Sequence, residues 1–259
     1  MDLKTIIFSR EGGIGWARFN RPEKLNALNA GVYEDLDKVL EMCVDDDDVR
    51  VLVITGNKNV FAAGADIDRM AKGSIKDAYK ITDRSLQIYE RLADFAKPTI
   101  AAISGYALGG GLETALCCDF RIGDETAVIG LPEINLGIIP GGGGTQRLPR
   151  LINYSLAAEM IMLGEMIKAD RAVEIGVLNR VVSAEDLESE VKKFADKLAA
   201  KPAMALRAAK TALRKGLNTS LKDGVCIEQD LFCMLFGTVD QKEGMAAFME
   251  KRRAKFTGK

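Results

Sequence analysis

The first half of the chain alternates short apolar runs with segments whose apolar residues recur at helical spacing. Short runs rich in β-branched and other apolar residues are typical of strands. They predict strands at residues 5–9, 14–19, 51–55, 100–103, 119–122 and 127–129. Between them, Val32, Leu36, Val39 and Cys43 follow helical spacing, and Asn29 is placed to cap that helix. The alternation indicates an α/β core with a largely parallel sheet.

The pattern changes after Gly130, and most of the remaining chain has helical spacing. One strand-like run at residues 178–182 interrupts it, and Lys201-Pro202 separates two late helices. The sequence contains no internal repeat and no low-complexity linker. We therefore predict an α/β core over residues 1–191, which holds the active site, and a helical region over residues 192–259.

Charge is nearly balanced along the chain. The 259 residues include 36 lysines and arginines and 37 aspartates and glutamates, for a net charge of −1. Neither a nucleic acid nor a membrane is therefore an expected partner. The most apolar stretch, residues 99–118, is interrupted by glycines and contains Glu113, so it predicts a buried strand and helix. Residues 242–259 are basic, which predicts either a solvated helix face or a site for an anionic ligand.

The sequence contains no histidine. This excludes Ser-His-Asp and Cys-His nucleophiles and removes the usual imidazole base and metal ligand. The five cysteines are an odd number without a CxxC pair, which predicts free thiols and no zinc site. These thiols and an N-terminus without a signal-peptide pattern favour the cytoplasm. Acid–base chemistry in this chain falls to carboxylates, Lys, Cys, Tyr or water.

A glycine-rich turn, YALGGGLE over residues 106–113, joins a predicted strand to an apolar helical segment. Glycines permit backbone angles and close approaches that other residues do not. The helix N-terminus presents free N–H groups and a positive dipole, which suit an anion or a developing oxyanion. Glu113 lies in the first turn among apolar neighbours. It either supports the helix end or acts as an acid–base group with a raised pKa.

A second glutamate, Glu133, lies in the segment GLPEINLG over residues 130–137. Pro132 and Gly137 predict a loop, and loops carry function more often than core elements do. Alone, Glu133 is equally consistent with a structural ion pair. Two carboxylates in apolar surroundings, in a chain without histidine, favour a joint acid–base role for Glu113 and Glu133.

Two further segments contain small residues. FAAGADI, residues 61–67, follows the strand at 51–55, and the backbone N–H of Ala65 is a candidate second oxyanion donor. A tight loop without a ligand is the alternative. The glycine run at residues 141–144 lacks the Lys-Ser/Thr of a phosphate-binding loop. We interpret it as a structural bend that enters a helix.

Together these segments resemble the crotonase superfamily, and within it the enoyl-CoA hydratases. The resemblance begins at NRPEKLNAL, includes FAAGADI, YALGGGLE and GLPEINLGIIPGGGGTQRL, and ends at DQKEGMAAFMEKRRAKF. Five strings in this order span almost the whole chain. The resemblance implies a spiral of ββα turns with a helical C-terminal trimerisation region. It also implies a homo-oligomer, either a trimer or a dimer of trimers.

The resemblance implies roles for individual residues. Ala65 and Gly110 match the positions whose N–H groups form the oxyanion hole for a thioester carbonyl. Glu113 and Glu133 match the two catalytic glutamates. Positions that contact CoA are matched by Ala63, Ala65, Asp66, Ile67, Phe232, Phe248 and Lys251, the last three often from a neighbouring subunit. Asp68 departs from the pattern, because many hydratases have a lysine there near the CoA.

These roles predict the addition of water across the C2=C3 bond of a 2-trans-enoyl-CoA to give a 3-hydroxyacyl-CoA. The two N–H donors stabilise charge on the thioester oxygen, and losing one typically costs about 3–4 kcal/mol. Glu133 is expected to protonate C2, and Glu113 to orient and activate the water. Two close carboxyls then share one proton. No metal and no redox cofactor are expected, and CoA is part of the substrate.

Several alternatives remain at this stage. A Δ3,Δ2-enoyl-CoA isomerase needs one proton-shuttling base and commonly keeps only the carboxylate at the Glu133 position, so Glu113 favours hydration. Other acyl-CoA lyases and hydrolases of the superfamily share the same oxyanion hole. A glycosidase also uses two carboxylates, but one Trp and five Tyr offer few sugar platforms. A non-catalytic binding protein would have no use for both glutamates.

Overall fold

The computed structural model describes residues 2–259, and every side chain in that range except those of Asp68 and Arg69. The sequence departure at Asp68 therefore lies outside the described side chains. The strands are β1 (Ile6–Glu11), β2 (Ile14–Phe19), β3 (Val51–Thr55), β4 (Val60–Ala62), β5 (Thr99–Ile103), β6 (Tyr106–Leu108), β7 (Phe120–Asp124), β8 (Val128–Gly130), β9 (Met166–Lys168) and β10 (Arg180–Val182).

The α-helices of the described residues are numbered in chain order, as the strands are. They are α1 (Ala30–Asp45), α2 (Ile67–Met70), α3 (Ile75–Ala93), α4 (Gly110–Cys117), α5 (Gly144–Leu151), α6 (Tyr154–Met162), α7 (Ala169–Glu174), α8 (Leu187–Ala199), α9 (Ala203–Gly216), α10 (Leu221–Leu235) and α11 (Val239–Met249). Short 3-10 helices cover Pro22–Lys24 and Pro132–Leu136.

The larger sheet has six strands in the order β1-β2-β3-β5-β7-β10. β1 and β2 pair antiparallel as a hairpin, and every other neighbouring pair in this sheet is parallel. β3 and β5 are buried along their whole length, because the sheet is covered on both faces. The predicted α/β core with a largely parallel sheet is confirmed.

A smaller sheet has four strands in the order β4-β6-β8-β9. Each of its strands has three residues. The sequence pattern predicted β8 but missed β4, β6 and β9. The smaller sheet matters for function, since β4 and β6 lead directly into the Ala65 and Gly110 segments.

The helices that cover the sheets begin where local chemistry predicts. The Asn29 side chain accepts a hydrogen bond from the Val32 N–H, which confirms the expected cap of α1. Ser74 and Asp77 form a reciprocal capping box at the start of α3. The core lies between the sheets and α1, α3 and α4, with Tyr89 of α3 fully buried in it. This packing fixes the helix that carries Glu113.

The C-terminal region is less enclosed. Helix α8 packs Leu187, Val191 and Ala195 against the other face of the larger sheet. The predicted boundary between residues 191 and 192 falls inside α8, and the division into two regions stays a prediction. Helices α9 and α10 contain no buried residue. Within the described residues, no helix is long and apolar enough to cross a membrane.

Candidate active site

The glycine-rich turn brings α4 against the end of β4. A Cβ at Gly111 would lie 2.1 Å from the Ala62 carbonyl oxygen, so only glycine permits this approach. Gly109 precedes α4 with a φ of 51°, in the region that disfavours residues with a side chain. The result is that the first turn of α4 lies beside the loop that follows β4.

The loop after β4 is held by the segment NRPEKLNAL, residues 20–28. Leu28 and Ala65 form a parallel bridge, with the Leu28 N–H donating to Gly64 O at 2.8 Å and the Asp66 N–H to Leu28 O at 3.1 Å. The buried Asn26 amide donates to the carbonyls of Val60 and Phe61 in β4. These contacts fix the backbone direction at Ala65.

Two backbone N–H groups lie close together between α4 and this loop. The Ala65 nitrogen lies 3.8 Å from the position of a Cβ on Gly110, so the two residues are direct neighbours. Within the described chain, neither the Ala65 N–H nor the Gly110 N–H donates to another backbone group. Gly110 also opens α4, where the helix dipole favours negative charge. The pair is therefore a candidate oxyanion hole.

Glu113 is buried in the first turn of α4, as predicted. Its Oε1 accepts hydrogen bonds from the backbone N–H of Gly142 at 2.7 Å and of Gly144 at 2.8 Å. Burial raises the pKa of Glu113, although these two hydrogen bonds oppose the rise. The glycine run is a bend that enters α5, as expected. Sequence reasoning did not find that its N–H groups hold Glu113.

Glu133 lies in the 3-10 helix Pro132–Leu136, beside Gly109. Its Oε1 is 2.8 Å from the position of a Cβ on Gly109, and its buried Oε2 has no hydrogen-bond partner among the described atoms. Burial, with a smaller contribution from the charge of Glu113, raises the pKa of Glu133 to about 7. The two glutamates therefore share one electrostatic environment, with Glu133 protonated or ionised near neutral pH.

A cavity of about 270 Å³ opens beside the Ala65 loop. The residues that line it include Leu28, Tyr33, Ala65, Met70 and Ile81. Of the residues matched to CoA contacts, Ala65 and Asp66 line this cavity. Ala63 lies next to them and donates its N–H to Leu25 O, and Ile67 begins α2 with an exposed side chain.

The remaining predicted CoA contacts lie apart from this cluster within the chain. Phe232 in α10 and Phe248 in α11 are 60% and 84% exposed, and Lys251 follows α11 with a φ of 55°. The tail after α11 is anchored near Arg50, which precedes β3. No described contact joins these three residues to Glu113 or Glu133 of the same chain. No cluster of metal-ligating residues occurs among the side chains that the structure describes.

Comparisons with known proteins show which family the chain resembles. Residues 9–259 match the sequence family described as enoyl-CoA hydratase/isomerase. The chain is 42% identical to a crotonyl-CoA hydratase of Syntrophomonas wolfei, with all of both chains covered. It is also 42% identical to a 2,3-dehydroadipyl-CoA hydratase of Escherichia coli, covering 99% of this chain and all of the relative. An enoyl-CoA hydratase subunit of Geobacillus kaustophilus superposes with a TM-score of 0.96 at 41% identity, with both chains fully covered.

The chain thus belongs to the enoyl-CoA hydratase/isomerase family, within the crotonase superfamily. The predicted fold, an α/β crotonase-like spiral with a helical C-terminal region, is confirmed: the two mixed sheets and the C-terminal helices match solved structures of enoyl-CoA hydratases. Many full-length relatives at about 40% identity also confirm the predicted enoyl-CoA hydratase activity.

Proposed function

We propose that the chain hydrates a 2-trans-enoyl-CoA with Glu113 and Glu133 as its acid–base pair and with the Ala65 and Gly110 N–H groups as its oxyanion hole. The observation that carries these assignments is the environment of Glu133. Its Oε2 is buried without a described partner, and its pKa is raised to about 7 mainly by burial. A carboxyl of this kind can give and take a proton near neutral pH.

The oxyanion hole supplies the electrostatic part of the reaction. Addition at C3 moves electron density onto the thioester oxygen, which becomes an enolate-like oxyanion. Ala65 and Gly110 are direct neighbours, and their N–H groups would bind this oxygen together. Fixed donors in a water-excluded site stabilise such charge more than water does, because they need no reorganisation.

The two glutamates move the protons. Glu113, fixed through Oε1 by Gly142 and Gly144, accepts a proton from the water as the water oxygen bonds to C3. Protonated Glu133 donates its proton to C2. One water is consumed, and the pair holds one proton before and after the step. Return of that proton from Glu113 to Glu133 restores the starting arrangement.

Hydration of crotonyl-CoA by Glu133→Gln tests the assignment. The conjugated thioester absorbance reports the reaction, and deuterium incorporation at C2 in D₂O reports the proton transfer. We expect a loss of about 10²- to 10⁴-fold in kcat, because the amide cannot donate an acidic proton. Glu125→Gln, at an exposed position, is the matched control. Full activity of Glu133→Gln would refute the mechanism, and turnover of a 3-enoyl-CoA without hydration would assign the chain to the isomerases.

The substrate is an acyl-CoA. We propose that one subunit binds it through Ala63, Ala65, Asp66 and Ile67. A neighbouring subunit reaches it through Phe232, Phe248 and Lys251. Exposed apolar side chains on the C-terminal helices support this homo-oligomer, a trimer or a dimer of trimers. They include Leu213 at 72% and Leu221 at 85% exposure. Analytical ultracentrifugation tests it, and a monomer at micromolar concentration would exclude it.

The proposed location is the cytoplasm. Five free thiols support this proposal, since Cys43, Cys117 and Cys118 are buried and Cys226 and Cys233 are exposed. Exposed free thiols persist best in a reducing compartment. Cell fractionation with an antibody to the chain tests the proposal, and recovery in an extracellular or membrane fraction would contradict it.

A further inference from the structure

Behind the candidate oxyanion hole lies a cluster of three hydroxyl groups, those of Tyr33, Tyr89 and Thr114. The Tyr33 and Tyr89 oxygens are 3.3 Å apart, and the Thr114 oxygen lies 3.3 Å from that of Tyr89. Tyr89 and Thr114 are both buried, and so is Tyr33. Helical spacing in the sequence accounts for the Tyr89 ring as a core residue but leaves its hydroxyl without a role.

The direction of the hydrogen bonds follows from the acceptors. Gly110 O can only accept, and it lies 3.0 Å from the Tyr89 oxygen and 2.9 Å from Thr114 Oγ1. The Tyr89 hydroxyl therefore points its hydrogen at this carbonyl. The single Thr114 hydrogen can reach Gly110 O or the Tyr89 oxygen, and we assign it to Gly110 O, the nearer acceptor. Tyr33 is left to donate to the Tyr89 oxygen. Hydrogen bonds arranged in a chain of this kind strengthen one another in a low-dielectric interior.

The Tyr89 ring also supports the other half of the site. A Cβ at Gly142 would lie 2.3 Å from Cε2 of Tyr89 and 2.5 Å from Oε2 of Glu113. The ring thus packs directly under the glycine whose N–H holds Glu113, while the hydroxyl holds Gly110. One side chain of α3 contacts both the proposed oxyanion donor and the support of the proposed base.

We propose that Tyr89, with Thr114, is a positioning residue for the oxyanion hole: their hydroxyls hold the Gly110 carbonyl on one side of this residue, while the Glu113 N–H holds the Gly109 carbonyl on the other, and together they fix the first turn of α4 from which the Gly110 N–H points. This inference rests on the proposed function. Gly109 and Gly110 lack side chains that could hold this turn in place, so the constraint must come from neighbours. An N–H misdirected by a fraction of an ångström binds the developing oxyanion less well.

Tyr89→Phe tests the proposal, because it keeps the ring under Gly142 and removes only the hydroxyl. We expect kcat for crotonyl-CoA to fall about 10- to 100-fold with KM within about twofold. Tyr154→Phe makes the same chemical change at an exposed position and serves as the control. Thr114→Val removes the second donor to Gly110 O, and we expect it to lower kcat in the same direction. If Tyr89→Phe does not fold, the Thr114→Val variant tests the proposal in its place.

A spectroscopic readout separates positioning from loss of stability. The infrared stretch of a ¹³C-labelled thioester carbonyl shifts to lower frequency when the oxyanion hole polarises it. Butyryl-CoA labelled in this way binds without being hydrated, because it has no double bond. We expect a downshift in the wild type, and a smaller downshift in Tyr89→Phe and in Thr114→Val.

The outcomes distinguish this inference from the function on which it rests. A wild-type downshift that both variants retain in full would overturn the role of the hydroxyls and leave the oxyanion hole intact. A wild-type carbonyl that does not shift would remove the oxyanion hole itself, and with it this inference. Loss of kcat in a variant with an unchanged carbonyl stretch would also contradict the proposal.

Discussion

Glu113 Oε1 lies 2.7 Å from the backbone nitrogen of Gly142, so a loop 29 residues along the chain fixes the carboxylate of α4. The Gly144 N–H binds the same oxygen. Both donors occupy one oxygen, which leaves Oε2 for the water of the proposed mechanism. A carboxylate held in this way keeps its orientation during proton transfer, which a freely rotating side chain would not.

Gly142→Ala is expected to disturb this arrangement. The new Cβ would lie 2.3 Å from the Tyr89 ring and 2.5 Å from Glu113 Oε2. Because both side chains are buried, we expect the free energy of unfolding to fall by about 1–3 kcal/mol and kcat to fall about 100-fold. Urea unfolding and crotonyl-CoA hydration measure the two effects.

Gly216→Ala is the matched control. A Cβ at Gly216 meets no atom within 4 Å, and the residue ends α9 without a positive φ. Alanine there is expected to raise the free energy of unfolding by up to about 1 kcal/mol, because it lowers the entropy of the unfolded chain. Gly142→Ala with wild-type stability and turnover would show that the loop adapts, and that the contact with Glu113 does not require glycine.

Glu113→Gln separates the charge of Glu113 from its shape. The amide oxygen can still accept from Gly142 and Gly144, but the group cannot take a proton from water. We expect kcat to fall about 10²- to 10⁴-fold. We expect the free energy of unfolding to be no lower than that of the wild type, because burial raises the pKa of Glu113 and so disfavours its ionised form.

Turnover of Glu113→Gln near the wild-type level would restrict Glu113 to support of the helix end. Glu125→Gln removes an exposed carboxylate and controls for the change in net charge. The wild type, Glu113→Gln and Glu125→Gln should bind butyryl-CoA with similar affinity, because the proposed mechanism does not use the proton of Glu113 for binding.

The sequence indicated the candidate acid–base residues but not the groups that hold them in place. Glu113 and Glu133 could be found because ionisable residues among apolar neighbours are unusual. The N–H groups of Gly142 and Gly144 could not, because backbone donors leave no signature in residue type. The Tyr89 hydroxyl was hidden for a related reason, since tyrosine at a helical core position is explained by its ring. Only the fold brings these groups together across 25 or more residues.

The pH dependence of kcat/KM follows from the shared proton. Glu133 is protonated below its pKa of about 7, while hydration also needs ionised Glu113. Activity is therefore highest when the pair holds one proton. It falls as the pH rises above about 7, because Glu133 ionises, and falls in acid, because Glu113 becomes protonated. The two apparent pKa values belong to the pair.

Hydration and dehydration provide an internal check on this pH profile. Hydration of the double bond releases no proton, so its equilibrium constant does not depend on pH. The ratio of kcat/KM in the two directions equals that constant, and both directions must follow one bell-shaped curve. Measuring crotonyl-CoA hydration and 3-hydroxybutyryl-CoA dehydration tests this. A flat profile between pH 5 and pH 9 would contradict assignment of the reaction to these two carboxyls.

Lys251→Ala tests the contribution of the C-terminal tail. Lys251 is exposed, whereas the neighbouring Arg252 is bound to Glu243 and Glu250. If Lys251 of a neighbouring subunit binds the CoA phosphates, the alanine variant should bind CoA about fivefold more weakly, the loss expected for one partly exposed ion pair. A pantetheine thioester has no phosphates, and its KM should not change. Equal losses for CoA and pantetheine thioesters would show that Lys251 acts through the assembly rather than on the phosphates.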